Sequence, residues 1–302
     1  MAERARCLVI GGCTVDFLVR PLSTIGDKTY AKVLQVCPGG GGRNVALGLR
    51  KMGLDVTILA SVGNDAFGDI IVDELRKANI HTRFVQRVSP LTGFSVIDCA
   101  TGKIISVRGA NQSLHLPAGL EYEAYDYIYL GSVPPEFQRT FCKYFRCEKP
   151  LFINPGPQQI LDAKEELLEL IRRAWVVQMN LKEARLFFAC EESAQEFADK
   201  LVALGPYCAV VTQGSQGAWA VTEDHDPIYQ PPLPANSIDP TACGDAFAAG
   251  LFAGLTKGLH LEQALAIGAA NAASVAEHYG AAGFLSFDEA MHRADLSVVE
   301  VL

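Results

Sequence analysis

The stretch PGGGGRNVALGLRKMGLDVTILASV, residues 38–62, runs a glycine cluster, a helical pattern and a buried strand together. Val45, Leu49 and Met52 recur at the spacing that puts them on one helix face. The run VTILASV at 56–62 is apolar and short, which by its length reads as a strand. Similar runs occur at 7–11 (CLVIG), 127–130 (YIYL), 151–153 (LFI), 175–179 (WVVQM) and 208–212 (CAVVT). Helical patterns lie between them at 67–78, 135–146, 158–172, 181–189 and 192–204. Short strands alternating with helices predict parallel βαβ units, hence a three-layer α/β/α fold whose central, mostly parallel sheet is flanked by helices.

Two segments break that rhythm. Residues 29–36 and 92–107 are β-rich, and the second holds FSVIDCATGKIISV, two apolar runs joined at Thr101 and Gly102. They suit either a small β-sheet lid, discontinuous in sequence and drawn from about 14–37 and 88–110, or two edge hairpins of the main sheet. From Thr241 onward the pattern is helical and rich in Ala and Gly, as where helices approach each other or a ligand closely. No repeat or interdomain linker interrupts residues 1–302, which read as a single domain.

Composition narrows the function. With 302 residues, 49% of them hydrophobic, the chain can bury a large core. A net charge of −8 argues against a nucleic-acid partner. Nine cysteines without a repeated CxxC spacing, and a polar start at residues 1–6, read as reduced thiols of a cytoplasmic protein. No apolar run reaches the ~20 residues of a membrane span.

The residues that carry chemistry fall in two segments. In DPTACGDAFAAG, residues 239–250, a Gly-Asp pair opens a helical pattern and puts Asp245 in its first turn, beside unpaired N–H groups and the positive end of the dipole. That terminus can hold an anion, and the carboxylate can take a proton from an attacking hydroxyl. An ordinary first-turn carboxylate fits the same spacing. The glycines at 39–42 let backbone pass close to a ligand, or simply make a tight turn. They form no Walker A loop, because Arg43 and Asn44 stand where Lys and Ser or Thr would follow. A dinucleotide fingerprint fails as well, since its third glycine falls on Asn44.

Together the segments resemble the two signatures of the PfkB, ribokinase-like, family: a Gly-Gly run with an Asn opening a helix, and Asp-Thr-x-Gly-Ala-Gly-Asp, here Asp239-Pro240-Thr241-Ala242-Cys243-Gly244-Asp245. The resemblance covers essentially the whole chain and implies an ATP-dependent kinase acting on a hydroxyl of a small sugar, with Asp245 as catalytic base. It implies an anion hole from the amides of Ala242, Cys243 and Gly244, and acceptor binding by Asp16, Gly40, Gly41 and Asn44. Residues 11–16 (GGCTVD) look like the family's first strand, ending in that aspartate. Nucleotide binding maps to Asn180, Glu183, Thr212, Gly214, Gly217 and Asn271, with Glu183 serving Mg²⁺ through water. A monovalent cation such as K⁺ beside Asp239, and a homodimer through the lid, follow from the resemblance alone.

Two departures matter. Ala242 replaces a glycine, which is acceptable only with a negative φ, and Asn154-Pro155-Gly156-Pro157 stands where many relatives keep an arginine. The acceptor is left open. Gly-Arg-Asn at 42–44 resembles the pseudouridine-kinase branch, Asp-Pro-Thr-x-x-Gly-Asp some nucleoside kinases, and the overall layout ribokinase-type sugar kinases. A sugar- or nucleotide-binding protein without turnover is the reading from another class, and a dinucleotide-dependent oxidoreductase fits less well.

Overall fold

The computed structural model describes residues 4–146 and 148–296, so the first three residues of the polar start lie outside the described range. The chain enters the main sheet with β1 (Arg6–Ile10), leaves it for a hairpin of β2 (Thr14–Ile25) and β3 (Lys28–Gly39), and returns through α1 (Gly41–Lys51), β4 (Asp55–Gly63), α2 (Ala66–Lys77) and β5 (His81–Val88). A second excursion forms β6 (Gly93–Asp98) and β7 (Ile104–Val107). The path then continues with β8 (Tyr127–Leu130), α3 (Pro135–Tyr144), β9 (Leu151–Ile153), α4 (Pro157–Asp162), α5 (Lys164–Ile171), β10 (Val176–Asn180), α6 (Leu181–Phe188), α7 (Ala194–Val202) and β11 (Cys208–Thr212). A hairpin of β12 (Ala218–Thr222) and β13 (His225–Gln230) precedes three helices, α8 (Cys243–Thr256), α9 (Leu261–Ala276) and α10 (Phe287–Arg293).

The large sheet has nine strands in the order β13-β12-β11-β10-β9-β8-β1-β4-β5. It is parallel from β5 to β11, and only the last hairpin runs antiparallel. Alternation along β1 sorts the core: Cys7 and Val9 face one layer with α1, α2 and α8–α10, whereas Leu8 and Ile10 face α3–α7. Strand order reverses at β1, whose neighbours β4 and β8 are reached by opposite excursions of the chain. In an open α/β sheet the crevice beyond the carboxyl ends of the strands at such a switch point is where ligands bind.

The irregular segments make a separate four-stranded sheet, β3-β2-β6-β7. A parallel pairing of β2 with β6 joins its two pieces, which rules out edge hairpins of the main sheet. The second piece begins at Gly93, because residues up to Val88 belong to β5 of the large sheet. The helix expected over 158–172 is two helices, broken where Ala163 leaves helical geometry at φ −145°. The strands β5 and β13 carry too many polar residues to stand out as apolar runs. Among the described residues no helix is long and apolar enough to cross a membrane.

Candidate active site

Backbone contact at the switch point sets the position of α1. An ideal Cβ on Gly11, just past β1, would lie 2.7 Å from Gly42 Cα, so strand end and helix start touch without side chains between them. Gly40 caps α1 with φ 92°, a conformation that favours glycine, and a Cβ there would sit 2.6 Å from Gly12 O. The helix starts at Gly41 and delivers Asn44, 3% exposed, into the crevice, with Arg43, also 3% exposed, buried beside it.

Asp16 does not end the first strand. It lies on β2, in the small sheet, where Thr14 Oγ1 donates to Asp16 Oδ1 at 3.0 Å. Burial pushes its carboxyl above the ordinary value, against hydrogen bonds from Thr14 and Ser95 that pull it down. On the neighbouring strand, opposite Thr14, is Gly39, at which any Cβ would collide with the Asp16 carboxylate. Gly39 belongs to the site although the sequence motif drew attention only to its neighbours; its position in the glycine run was the available signal.

The start of α8 gives the site its centre. Ala242, the N-cap, takes φ 64° and ψ 3°, so the expectation of a negative φ is wrong: the chain must turn sharply from Thr241 into the helix, and the alanine occupies the left-handed region that glycine fills in the signature. Cys243 N–H turns back to Pro240 O at 3.3 Å and is therefore not free for an anion. The amides of Ala242, Gly244 and Asp245 have no partner among the described residues, as first-turn geometry requires. Asp245, half-buried, accepts from Asn44 Nδ2 at 2.8 Å. Its carboxyl is pushed up to about 6, chiefly by burial, with the Asn44 hydrogen bond and Arg43 opposing and Asp16 adding to the rise.

Two clefts meet at this helix start. Gly12, Asp16, Gly41, Asn44, Ser95, Arg108, Asn111, Ser132, Ala242 and Asp245 line one, beneath the small sheet. Thr212, Gly214, Gly217, Leu233, Cys243, Gly244, Phe247, Ala272, Ala273 and Ala276 line the other, which is largely apolar. Asn271 is not part of the second cleft. It points the opposite way on α9, fully buried, donating to Ala246 O at 2.7 Å and accepting from Leu285 N at 3.0 Å. The small residues beside it line the cleft instead.

Asn180 and Glu183 form a reciprocal cap on α6, with Asn180 N donating to Glu183 Oε2 at 2.9 Å and Glu183 N to Asn180 Oδ1 at 3.0 Å. Burial, reinforced by the charge of Asp245, pushes the Glu183 carboxyl up to about 7. Neither residue lines the two clefts described. Between them and α8 lies Gln178, whose Nε2 donates to Gly244 O at 3.3 Å and whose buried Oε1 makes no hydrogen bond within the described protein. These hard oxygen donors, with no group of three metal-holding side chains among the described residues, fit a hydrated divalent cation that arrives on phosphates better than a protein-caged one.

Sequence reasoning missed Arg108, Asn111, Ser95 and Gln178, which sit in strands or at a short 3-10 helix without a motif. Asn111 clamps the turn after β1, accepting from Cys13 N at 3.0 Å and donating to Cys13 O at 2.8 Å. Asp239, 1% exposed, accepts from Thr241 N and Oγ1 and from Gly280 N at 2.7–3.0 Å, tying the loop before α8 to the loop after α9. The departure at 154–157 turns inward: Asn154 hydrogen-bonds the buried Tyr129, and Gly156 packs on Ser132.

A helix N-terminus with free amides and a carboxylate in its first turn, set between a polar and an apolar cleft of an α/β sheet, suits a phosphotransferase of the ribokinase-like class. Residues 4–287 match the pfkB family carbohydrate kinase model, and the chain belongs to that family of phosphotransferases acting on sugar or nucleoside hydroxyls. It is similar to the ribokinase of Bacillus subtilis, 28% identical over 270 residues that cover 85% of this chain and 88% of that protein. Among solved structures it resembles Arabidopsis thaliana ribokinase complexed with ribose and ATP, at a TM-score of 0.80 and 21% identity, covering 97% of this chain and 99% of the other. It also resembles a Burkholderia thailandensis nucleoside kinase in complex with inosine, at a TM-score of 0.82 and 19% identity over 99% of this chain and 100% of that one.

Proposed function

We propose that the protein is an ATP-dependent kinase that phosphorylates a hydroxyl of a small sugar. The observation carrying this reading is the division of labour at one helix start: Ala242 and Asp245 line the polar cleft, and Cys243 and Gly244 line the apolar one. Asp16, Gly40, Gly41 and Asn44 hold the acceptor, a carboxylate and an amide being suited to a diol. The apolar cleft, edged by Thr212, Gly214 and Gly217, takes the adenine and ribose of the nucleotide. Asp245 accepts the hydroxyl proton as the acceptor oxygen bonds to the γ-phosphorus and the bridge to the β-phosphate breaks, releasing ADP. The free amides of Ala242, Gly244 and Asp245 stabilise charge on the phosphoryl oxygens.

Bound Mg²⁺ would supply charge neutralisation at the phosphates, and Glu183 and Asn180 would hold it through water. A K⁺-like ion beside Asp239 belongs to the same reading, supported by a buried carboxylate that pairs with no Lys, Arg or His among the described residues. The small sheet serves as a lid, and exposed Leu22, Tyr30, Val33 and Ile105 on it support a homodimer through that face. A cytoplasmic location belongs to the same reading, supported by nine cysteines without a repeated CxxC spacing.

A second reading, a nucleoside kinase, is favoured by Ile97, Ile104 and Leu114, which give the acceptor cleft an apolar wall on which a base can stack. ADP release with ribose, fructose, ketodeoxy acids, adenosine and pseudouridine decides between them. Turnover confined to nucleosides rejects the sugar reading, and the absence of turnover with every acceptor rejects the kinase.

A further inference from the structure

Arg43 is a buried charge that the transfer scheme does not use. Nε donates to Glu74 Oε2 at 2.8 Å and Nη2 to Glu74 Oε1, while Nη1 donates to Asn44 Oδ1 at 3.0 Å and to the Ala281 carbonyl at 3.3 Å. Glu74 comes from α2 and Ala281 from the loop after α9, so three parts of the chain converge on one guanidinium. That group has donors only, in a rigid fork, and it stays charged throughout the working pH range.

An asparagine amide has an accepting end and a donating end. With Arg43 on Oδ1, the end left for Asp245 is Nδ2, which meets Oδ2 at 2.8 Å. The reversed amide would set oxygen against carboxylate and NH₂ against guanidinium, two repulsive contacts in place of two hydrogen bonds. Oδ1 of Asp245 is meanwhile directed at Gly41, 3.3 Å from where a Cβ would stand, on the wall of the acceptor cleft.

We propose that Arg43, gripped by Glu74, is the positioning residue of the proton acceptor: it locks the Asn44 amide so that its donor end holds one oxygen of Asp245 and leaves the other for the substrate hydroxyl. The proposal rests on the kinase reading of Asp245. Around Asp245 stand Asn44 and Arg43 from α1, Asp16 from β2, Glu183 from α6, Tyr129 from β8, Cys243 from its own helix and Arg108, which lines the same cleft; of the two cations, Arg43 is the one joined to Asp245 through Asn44. Removing its charge therefore makes Asp245 harder to ionise, and removing the opposing charge of Glu74 makes it easier.

The test is the pH dependence of kcat at saturating ATP and acceptor for wild type, Arg43→Gln, Arg43→Lys and Glu74→Gln. Arg43→Gln is expected to lose on the order of tenfold to a hundredfold in kcat, with any rise in acceptor KM, which Asn44 would transmit, smaller than the fall in kcat. Its acidic limb moves up by about half a unit or more, and that of Glu74→Gln moves down. Arg43→Lys keeps the charge without the fork, so its limb stays in place while turnover falls. A folded Arg43→Gln or Glu74→Gln variant with the wild-type limb overturns the proposal. Where Arg43→Gln fails to fold, full turnover in Arg43→Lys or an unmoved limb in Glu74→Gln overturns it. A wild type inactive on every acceptor counts against the kinase reading instead. The ¹³C NMR titration of the Asp245 carboxyl in the same variants then decides the role of Arg43 by the same shifts.

Discussion

Asn44 and Asp245 lie 201 positions apart in sequence and touch through their side chains, Nδ2 to Oδ2, at 2.8 Å. One opens the helix that packs on the acceptor side of β1, and the other opens the helix that separates the two clefts. The hydrogen bond closes the crevice at the point where strand order reverses. It also occupies one of the two carboxylate oxygens, so under the proposed transfer a proton from the acceptor would go to the other.

Asp245→Asn preserves shape and the Asn44 contact, because the new amide oxygen accepts the same hydrogen bond. What it loses is the ability to take a proton. We expect kcat to fall by ~10²–10⁴, with acceptor and ATP affinities measured calorimetrically little changed. Turnover within a factor of about three of wild type removes Asp245 from the role of base.

The pH dependence has a definite sign. Burial raises the Asp245 carboxyl from an ordinary 3.8 to about 6, so the form able to accept a proton is depleted below about 6, and kcat is expected to rise with pH through that region. Stability runs the other way. A carboxyl raised in the folded state contributes stability that is fully present below the unfolded value and is lost as pH rises through the folded one, here across roughly pH 4 to 6. Asp245→Asn, which never ionises, should therefore gain in Tm relative to wild type between pH 4 and pH 7. A Tm difference that is flat over this range contradicts the raised value.

How much of this was visible beforehand depends on the range of the interaction concerned. The core strands of the large sheet and α1 are written in local periodicity, and Asp245 in a first helical turn follows from a Gly-Asp pair before an apolar run. The Asn44 contact with Asp245, and the hold of Glu74 on Arg43, depend on which elements the sheet order brings together. Spacing along the chain contains nothing of that. Asn271 shows the limit most clearly: on a helix apolar all round, neither hydropathy nor spacing tells which side faces the cleft, and the residue proved to be a buried cross-link between α8 and Leu285. The reverse happened at Ala242, where the residue type argued for a negative φ and the turn into α8 imposed a positive one.

Ala242 holds φ 64° with a Cβ, a conformation that costs an L-residue about 1–2 kcal/mol. Glycine avoids that strain, at an entropic cost of roughly 0.5–1 kcal/mol. Ala242→Gly is thus expected to stabilise the protein by about 0.5–1 kcal/mol, read as a higher denaturant midpoint, with kcat maintained. Ala242→Val adds a β-branch in the same region and should be clearly destabilising. An Ala242→Gly variant less stable than wild type would show that the strain is absorbed elsewhere.

Gly39 leaves room for the Asp16 carboxylate on the neighbouring strand, and a Cβ at that position would occupy the same space. The carboxylate can yield only by turning away from the cleft, since β2 and β3 are fixed by the pairing of Asp16 with Cys37 and of Thr14 with Gly39. Gly39→Ala should raise the acceptor KM on the order of tenfold or more while leaving the KM for ATP within about twofold, because a misplaced contact group weakens acceptor binding and orientation alone. Equal losses for both substrates would mean that the small sheet as a whole had shifted.

Ala273 provides the matching test on the nucleotide side. It lies on α9 with 7% of its surface exposed, and it lines the apolar cleft with Ala272 and Ala276. Leucine there pushes three further carbons into the space assigned to the base, a change that backbone on one side and the helix on the other cannot absorb. We expect the KM for ATP to rise about tenfold or more with the acceptor KM unchanged, since the acceptor cleft is on the other side of the α8 start. Asn271→Ala, two positions away, should behave differently. It strands Ala246 O and Leu285 N and should cost about 1–3 kcal/mol of stability, with ATP affinity in the folded fraction retained. A leucine at 273 that leaves ATP binding intact would place the base elsewhere, and an Asn271→Ala variant of normal stability but weakened ATP binding would return Asn271 to the nucleotide.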